Sequence, residues 1–342
     1  MPDEQQIAAI QQRDSGDVLH QYTAEGGVDA GDYAAAHAKQ WGGPASPRWF
    51  EPALRQYPIS HAEQRGRRAL VTGGSGGIGF FVAKLLAAIG LVVVLPARPG
   101  LEFETLGAAA AIRTALPAAV VEVPEVPLDL RSFASVRAFG AHMRARGEVI
   151  DVLCLNAARS GGVRDPREVT TDGLEIVMQV NLLSHTLLVH ELLPNLRASS
   201  YARIAVHTDS ARTNAPQSNL DDLDGQRYSG SPWLQYALSK AGLCLLARAL
   251  NKRLSAAGVR GAAVVADSGL SATGLNFQHD LAVTLGLGRR GISNTRAFHD
   301  SHAAHAADAA LPLVMACLVG EANEFWVGEL LVFAAALLPQ HH

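Results

Sequence analysis

Val71-Thr72-Gly73-Gly74-Ser75-Gly76-Gly77-Ile78-Gly79 is the stretch whose reading decides the fold. It follows Arg67-Arg68-Ala69-Leu70, a run that turns apolar and reads as a strand. It opens onto Phe80, Phe81, Val82, Leu85, Leu86 and Ile89, apolar residues at helical spacing that stop at Gly90. A strand, a glycine-rich turn and a helix in that order are the context a dinucleotide-binding turn requires. The glycines let the chain turn sharply and let a pyrophosphate approach with no Cβ in the way. The helix start adds unpaired N–H groups and the positive end of the helix dipole. Ordinary surface turns are glycine-rich too, so the flanks carry the reading.

Strands and helices then alternate. Leu91 to Leu95 is a wholly apolar run, as expected of a strand buried on both faces. Val120 to Leu130 reads as a third strand, and Ser132 as the cap of a helix with Phe133, Val136, Phe139 and Met143 on one face. Val149 to Leu155 is a fourth strand ending at Asn156-Ala157-Ala158, and a long helix is expected from Asp172 to Leu193, before Pro194. Ala202 to His207 is a fifth strand, Gln235 to Ser255 a helix, and Gly261 to Ala266 a sixth strand. The rhythm predicts an α/β fold: a doubly wound Rossmann domain over residues 66–342 with a mostly parallel seven-stranded sheet. Ligands should then bind outside the carboxyl ends of the strands.

Residues 1–65 lack sustained periodicity and end in aromatics (Trp41, Trp49, Phe50, Tyr57). We read them as an N-terminal extension, a partly ordered arm packed on the main domain or a docking segment for a protein partner. Met1-Pro2-Asp3-Glu4 is acidic and lacks the apolar run of a secretory signal or the basic character of a transit peptide. A net charge of −3 gives no footprint for nucleic acid. Leu330 to Leu338, the nearest candidate for a membrane span, is about half the length needed. Cys154, Cys244 and Cys317 lie far apart in apolar runs and read as buried free thiols. Together these point to a soluble intracellular chain, with cytoplasm favoured over an organelle. His299, His302 and His305 recur every three residues, but that spacing spreads them around a helix and no carboxylate or thiol cluster joins them. A solvated face is expected there, and no metal site.

Several motifs together resemble the short-chain dehydrogenase/reductase family. They are Thr72 to Gly79, Asn156-Ala157-Ala158, Asn181 in the long helix, and Tyr236-Ala237-Leu238-Ser239-Lys240. Asp129-Leu130-Arg131-Ser132-Phe133, Thr171-Asp172-Gly173-Leu174-Glu175 and Leu270-Ser271-Ala272-Thr273-Gly274 are similar to the retinol-dehydrogenase-like branch, which includes WW-domain-oxidoreductase-type proteins. Tyr236 and Lys240 are four apart on a helix and so share a face. An ammonium beside a phenol favours the phenolate and makes Tyr usable as an acid or base near neutral pH. The resemblance implies that Tyr236 moves the proton while Lys240 also holds the nicotinamide ribose. It implies that Asn181 anchors a water in the relay; a cap or kink of its own helix is the plainer role for that residue. The cofactor would rest on Gly73, Ser75, Gly76, Gly77, Ile78, Gly79, Asp129, Leu130, Asn156, Ala157, Tyr236, Lys240 and Thr273.

Three positions depart from that pattern. Asp209 stands in the column of the family's catalytic Ser, between Thr208 and Ser210. When ionised it cannot donate a hydrogen bond, and it opposes a nearby phenolate. Ser210 could take the role only if the backbone leaves strand geometry. Ala158 replaces the last Gly of Asn-Ala-Gly, and Asp267-Ser268-Gly269 stands where His-Pro-Gly is usual. Cofactor choice turns on the end of the second strand, where Ala97-Arg98-Pro99 offers an Arg for a 2′-phosphate and no acid for ribose hydroxyls.

The expectation is an NADP(H)-dependent oxidoreductase acting on a small, lipophilic alcohol or carbonyl, with Asp209 or Ser210 orienting the substrate oxygen. The competing expectation is a catalytically weak scaffold that docks through residues 1–65. A homodimer through the long helices is a family habit that no feature of the sequence requires.

Overall fold

The computed structural model describes residues 61–160, 166–215, 222–226, 232–269, 271–272, 304–320 and 324–327. Residues 1–60, Thr273, His299, His302 and Leu330 to Leu338 lie outside them.

The opening stretch folds as β1 (Arg68–Val71), a tight turn and α1 (Gly77–Ile89). There follow β2 (Val92–Val94), α2 (Glu102–Ala115), β3 (Val121–Glu122), α3 (Phe133–Arg146) and β4 (Val152–Leu155). Next come the three-part helix α4 (Ile176–Met178, Gln179–Leu183, Ser184–Glu191), β5 (Ala202–Thr208) and a 3-10 turn, Ser210–Asn214. The chain continues as α5 (Pro232–Ala256), β6 (Gly261–Asp267), α6 (Leu311–Leu318) and β7 (Phe325–Val327). The sheet has seven strands in the order β3-β2-β1-β4-β5-β6-β7. Every neighbouring pair is parallel. All seven carboxyl ends therefore open on one edge, with the order reversing between β1 and β4 as a doubly wound sheet requires.

Alternation along the strands sorts two cores. Ala69, Val71, Val93, Val152, Cys154 and Ala205 pack with α1, α2 and α6. Leu70, Val94, Leu153, Leu155, Ile204 and Val206 pack with α3, α4 and α5. A strand buried on both faces shows no polar alternation, which is why these runs are apolar throughout.

Several expected boundaries move, the helix expected from Gln235 beginning at Pro232 among them. The third strand is two residues long, because Pro124 and Pro127 carry no N–H for the ladder. The fourth starts at Val152 rather than Val149. The long helix begins at Ile176, not Asp172. Gly173 turns the chain at φ +81, Val169 pairs with Glu175, and the Glu175 carboxylate caps the N–H groups of Val177 (3.0 Å) and Met178 (2.8 Å). The same helix ends at Glu191, before Pro194 as expected, and Pro194 sits in the first turn of a further short helix, Leu193–Arg197, where its missing N–H has no partner to lose. Ser132 caps α3 as expected, accepting from the Ser135 N–H at 3.3 Å.

One buried hydroxyl ties the carboxyl edge together. Thr72 Oγ1 accepts from the N–H groups of Asn156 (2.9 Å) and Ala157 (3.0 Å) and lies 3.0 Å from His185 Nε2 in α4. His185 Nδ1 donates to the Asn181 carbonyl at 2.9 Å, so its Nε2 is an acceptor, and Thr72 donates to it at 3.0 Å and, more weakly, to the Cys154 carbonyl at 3.3 Å. The hydroxyl thus uses both lone pairs and its proton. Thr72→Val, of nearly the same shape, leaves two buried N–H groups and one ring nitrogen unpaired. We expect it to lose about 3 kcal/mol of stability. Thr72→Ser, which keeps the hydroxyl, should lose about 1 kcal/mol or less, both read as shifts of the urea midpoint at constant slope.

Candidate active site

The glycine-rich turn comes first along the edge. Gly73 has φ +66, and a Cβ there would sit 2.9 Å from Ala157 Cα, so neither its conformation nor its neighbour admits a side chain. A Cβ on Gly79 would lie 2.2 Å from the Gly73 carbonyl oxygen, which allows α1 to start directly over the turn. Gly76 precedes α1 in extended conformation; no side chain caps the helix and no acid lies in its first turn. The first N–H groups of α1 are thus left for a ligand with negative charge, and a pyrophosphate fits them. Ala157 meets this turn from β4, and Asn156 Nδ2 donates to the carbonyls of Thr72 (2.9 Å) and Gly73 (3.3 Å). Both residues support the turn's backbone.

Arg98 follows β2 and is exposed, its guanidinium open to a phosphate from solvent. Asp129 is held by Arg131 through Nη2 (2.8 Å) and Nε (3.0 Å). Burial would raise its carboxyl, but the hydrogen bonds and charge of Arg131, with Arg98 beyond, hold it below the ordinary value. Leu130 is buried and its carbonyl accepts from Ser184 Oγ at 2.6 Å.

Tyr236 and Lys240 project from one face of α5, 4% and 2% exposed. Lys240 Nζ lies 5.5 Å from the Tyr236 ring centre and donates to the His207 carbonyl at 3.2 Å. The Tyr236 hydroxyl donates to Asp209 Oδ2, and Lys240 Nζ stands 3.8 Å from that same oxygen. Asp209 occupies the place beside Tyr236, while Ser210 turns outward and is exposed as the first residue of the 3-10 turn. Of the two residues expected to orient a substrate oxygen, the structure brings only Asp209 to the phenol. Asp209 Oδ1 accepts from the Ala211 N–H (2.9 Å), fixing the carboxylate.

Asn181 lies in the π-helical part of α4, where one extra residue widens a turn. Its amide donates to the Arg159 carbonyl and to Ser239 Oγ, both at 2.9 Å, and its oxygen accepts from the Arg159 N–H at 2.7 Å. Ser239 Oγ in turn donates to the Tyr236 carbonyl at 2.7 Å. Among the described residues, no hydrogen bond joins the Asn181 side chain to the phenol or ammonium directly. It is linked to Tyr236 through Ser239.

Sequence reasoning missed four participants. Thr72 and His185 form the strap described above. His207 Nδ1 donates to Asn156 Oδ1 at 3.0 Å. Arg212 bonds Asp267 Oδ2 and, at 2.9 Å, the Asp209 carbonyl, joining the ends of β5 and β6. Asp267 was visible only as a departure from His-Pro-Gly; nothing in the sequence paired it with Arg212.

Burial sets the electrostatics. It raises the Tyr236 phenol well above 10, and the charge and hydrogen bond of Asp209, then the charge of Asp267, push further the same way. It lowers the Lys240 ammonium, against the pull of Asp209 and Asp267. Burial and the charge of Lys240 together drive His207 well below its ordinary value, and burial takes His185 down to about 4 despite its bond to Asn181. Among the described residues no cluster of His, Cys, Asp and Glu could hold a metal, and no helix is long and apolar enough to cross a membrane.

Comparison with known proteins gives the following. Residues 67–276 match the family model described as short chain dehydrogenase. The chain is 37% identical over 220 residues to polyprenol dehydrogenase of Mus musculus, covering 63% of each chain. It is 35% identical over 201 residues to retinol dehydrogenase 13 of Homo sapiens, covering 58% of each. It therefore spans less than two thirds of the length of these relatives. An oxidoreductase of known structure from E. coli superposes with a TM-score of 0.58 at 20% identity, covering 80% of this chain and 99% of that one, a likeness of fold.

A His held neutral by burial makes stability depend on pH. The unfolded chain takes the proton first as pH falls, so between about 6.5 and about 4 it binds more protons than the native state. Stability from His185 is complete above about pH 6.5 and lost toward pH 4, roughly 3 kcal/mol in all. Urea unfolding at stepped pH should show this fall, shallower in His185→Gln; an equal slope in both would contradict it.

Proposed function

The chain belongs to the short-chain dehydrogenase family, in its retinol-dehydrogenase-like branch, and from that premise we propose that it interconverts an alcohol and a carbonyl with NADP(H). The observation that carries the proposal is the buried Tyr236–Lys240 pair one helical turn apart at the carboxyl edge. That edge also carries the uncapped start of α1. The dinucleotide, when bound, supplies a hydride acceptor or donor at its nicotinamide ring. Gly73 to Gly79 and the first turn of α1 would hold the pyrophosphate. Arg98 would pair with a 2′-phosphate, and Asp129 and Leu130 would flank the adenine. Lys240 would hold the ribose, and Thr273 would complete the nicotinamide end.

Tyr236 then exchanges a proton with the substrate oxygen, and the Arg159–Asn181–Ser239 chain holds the phenol's helix in register. The substrate is a lipophilic alcohol or its carbonyl. The names of the two relatives, a polyprenol and a retinol dehydrogenase, support that class. A second reading, a scaffold without turnover, is favoured by one feature: Asp209 already accepts the Tyr236 hydrogen bond and neighbours Lys240, so the site is closed on itself.

Fluorescence titration of the full chain should show saturable binding of NADPH, tighter than that of NADH. Arg98→Glu should erase the preference by about tenfold or more. Preference for NADH would sink the NADP assignment. Tyr236→Phe should keep NADPH binding and lose retinol turnover by about 10²–10⁴. Binding of neither nucleotide would leave the scaffold.

A further inference from the structure

Asp209 does more here than stand in for a serine. We propose that Asp209 is the proton acceptor behind Tyr236, so that Tyr236 works as a phenol relaying protons to a carboxylate, which suits the site to alcohols. This rests on the reading of the site as an oxidoreductase centre.

The geometry gives the direction. The phenol donates to Asp209 Oδ2, and an ionised carboxylate can only accept. The carboxylate is fixed rather than mobile: Oδ1 accepts from the Ala211 N–H, and the Asp209 carbonyl accepts from Arg212. Charge balance gives the state. Asp209, between β5 and the 3-10 turn, and Asp267 on β6 face Lys240 on α5 and Arg212 on the 3-10 turn, two carboxylates against two cations. The other titratable neighbours are neutral: burial keeps His207 on β5 unprotonated and Cys244 on α5 a thiol. A phenolate would put a third negative charge into a half-buried cluster already in balance. A serine in this column would carry no such charge, and the phenolate would face Lys240 with only the more distant Asp267, itself paired with Arg212, opposing it.

The proton accounting follows. An alcohol O–H breaks, its proton re-forms the Tyr236 O–H, and the phenol's former proton ends on Asp209. The hydride leaves the carbinol carbon for an oxidised nicotinamide dinucleotide, which gains both electrons. A carbonyl brings no proton, so reduction first requires a protonated Asp209. Alcohol oxidation should therefore show an acid limb that depends on the residue at position 209, while carbonyl reduction falls as pH rises.

The test needs neither cofactor nor substrate. The ultraviolet absorbance of tyrosinate is followed with pH in the full chain and in Asp209→Asn and Asp209→Ser, each paired with its own Tyr236→Phe partner to isolate one phenol. Asp209→Asn and Asp209→Ser should bring the Tyr236 step down by about one pH unit or more relative to the unsubstituted chain. An unsubstituted chain that unfolds before Tyr236 titrates, while either variant titrates folded by circular dichroism, gives the same support. A Tyr236 step at the same or lower pH with Asp209 present overturns the relay. Retinol oxidation with NADP+ gives the second readout, an acid limb present with Asp209 and moved toward alkaline pH in Asp209→Ser; an unmoved limb overturns it too. NADPH binding with a low Tyr236 step would sink the relay alone, whereas a high step without nucleotide binding would sink the oxidoreductase reading.

Discussion

The Thr72 hydroxyl has three hydrogen-bonding capacities, and the fold uses all of them inside the protein. Two N–H groups at the end of β4 and one ring nitrogen of α4 converge on it. That convergence places the turn after β1, the turn after β4 and the last part of α4 at fixed distances from one another. It also dictates chemistry, because a protonated His185 would push an N–H against an oxygen with no lone pair left. From His185 the constraint passes to the Asn181 carbonyl, and the Asn181 amide carries it to Arg159 and Ser239. Ser239 lies one turn from Tyr236 on the same helix. The glycine-rich turn and the phenol, more than 150 residues apart in sequence, are thus parts of one hydrogen-bonded frame.

The order of elements was legible because each rests on local chemistry. Glycines at a sharp turn, a serine cap at Ser132, and Tyr236 and Lys240 four residues apart all speak through neighbours in the chain. The place of Asp209 was legible too, since counting along β5 from Arg203 brings it to the strand's end. What could not be read depends on contacts across the fold. No periodicity announces the extra residue in α4 that turns Asn181 toward Arg159, because a π-helical turn disturbs a 3.6-residue pattern for less than two turns. The pairing of Arg212 with Asp267 spans two strand ends that only the sheet order brings together. The third strand was overread because apolar residues outweighed the two prolines that end it.

The centre also shows how one substitution redistributes charge. A carboxylate at position 209 neighbours Lys240 and accepts from Tyr236, and Asp267 brings Arg212 against it from the next strand. Four charged groups and a phenol then meet at a half-buried site in which each bears on the state of the others. Asp209 and Asp267, two of the three departures from the family pattern, belong to this one cluster. The third, Ala158, has no part in it that the structure shows.

A crystal structure of the full chain with NADPH tests the account most directly. The account predicts a pyrophosphate over the first turn of α1, a 2′-phosphate at Arg98 and the nicotinamide ring beside Tyr236, with the bond from Tyr236 to Asp209 intact. A dinucleotide bound elsewhere, or a Tyr236 turned away from Asp209 once the cofactor is in place, would contradict it.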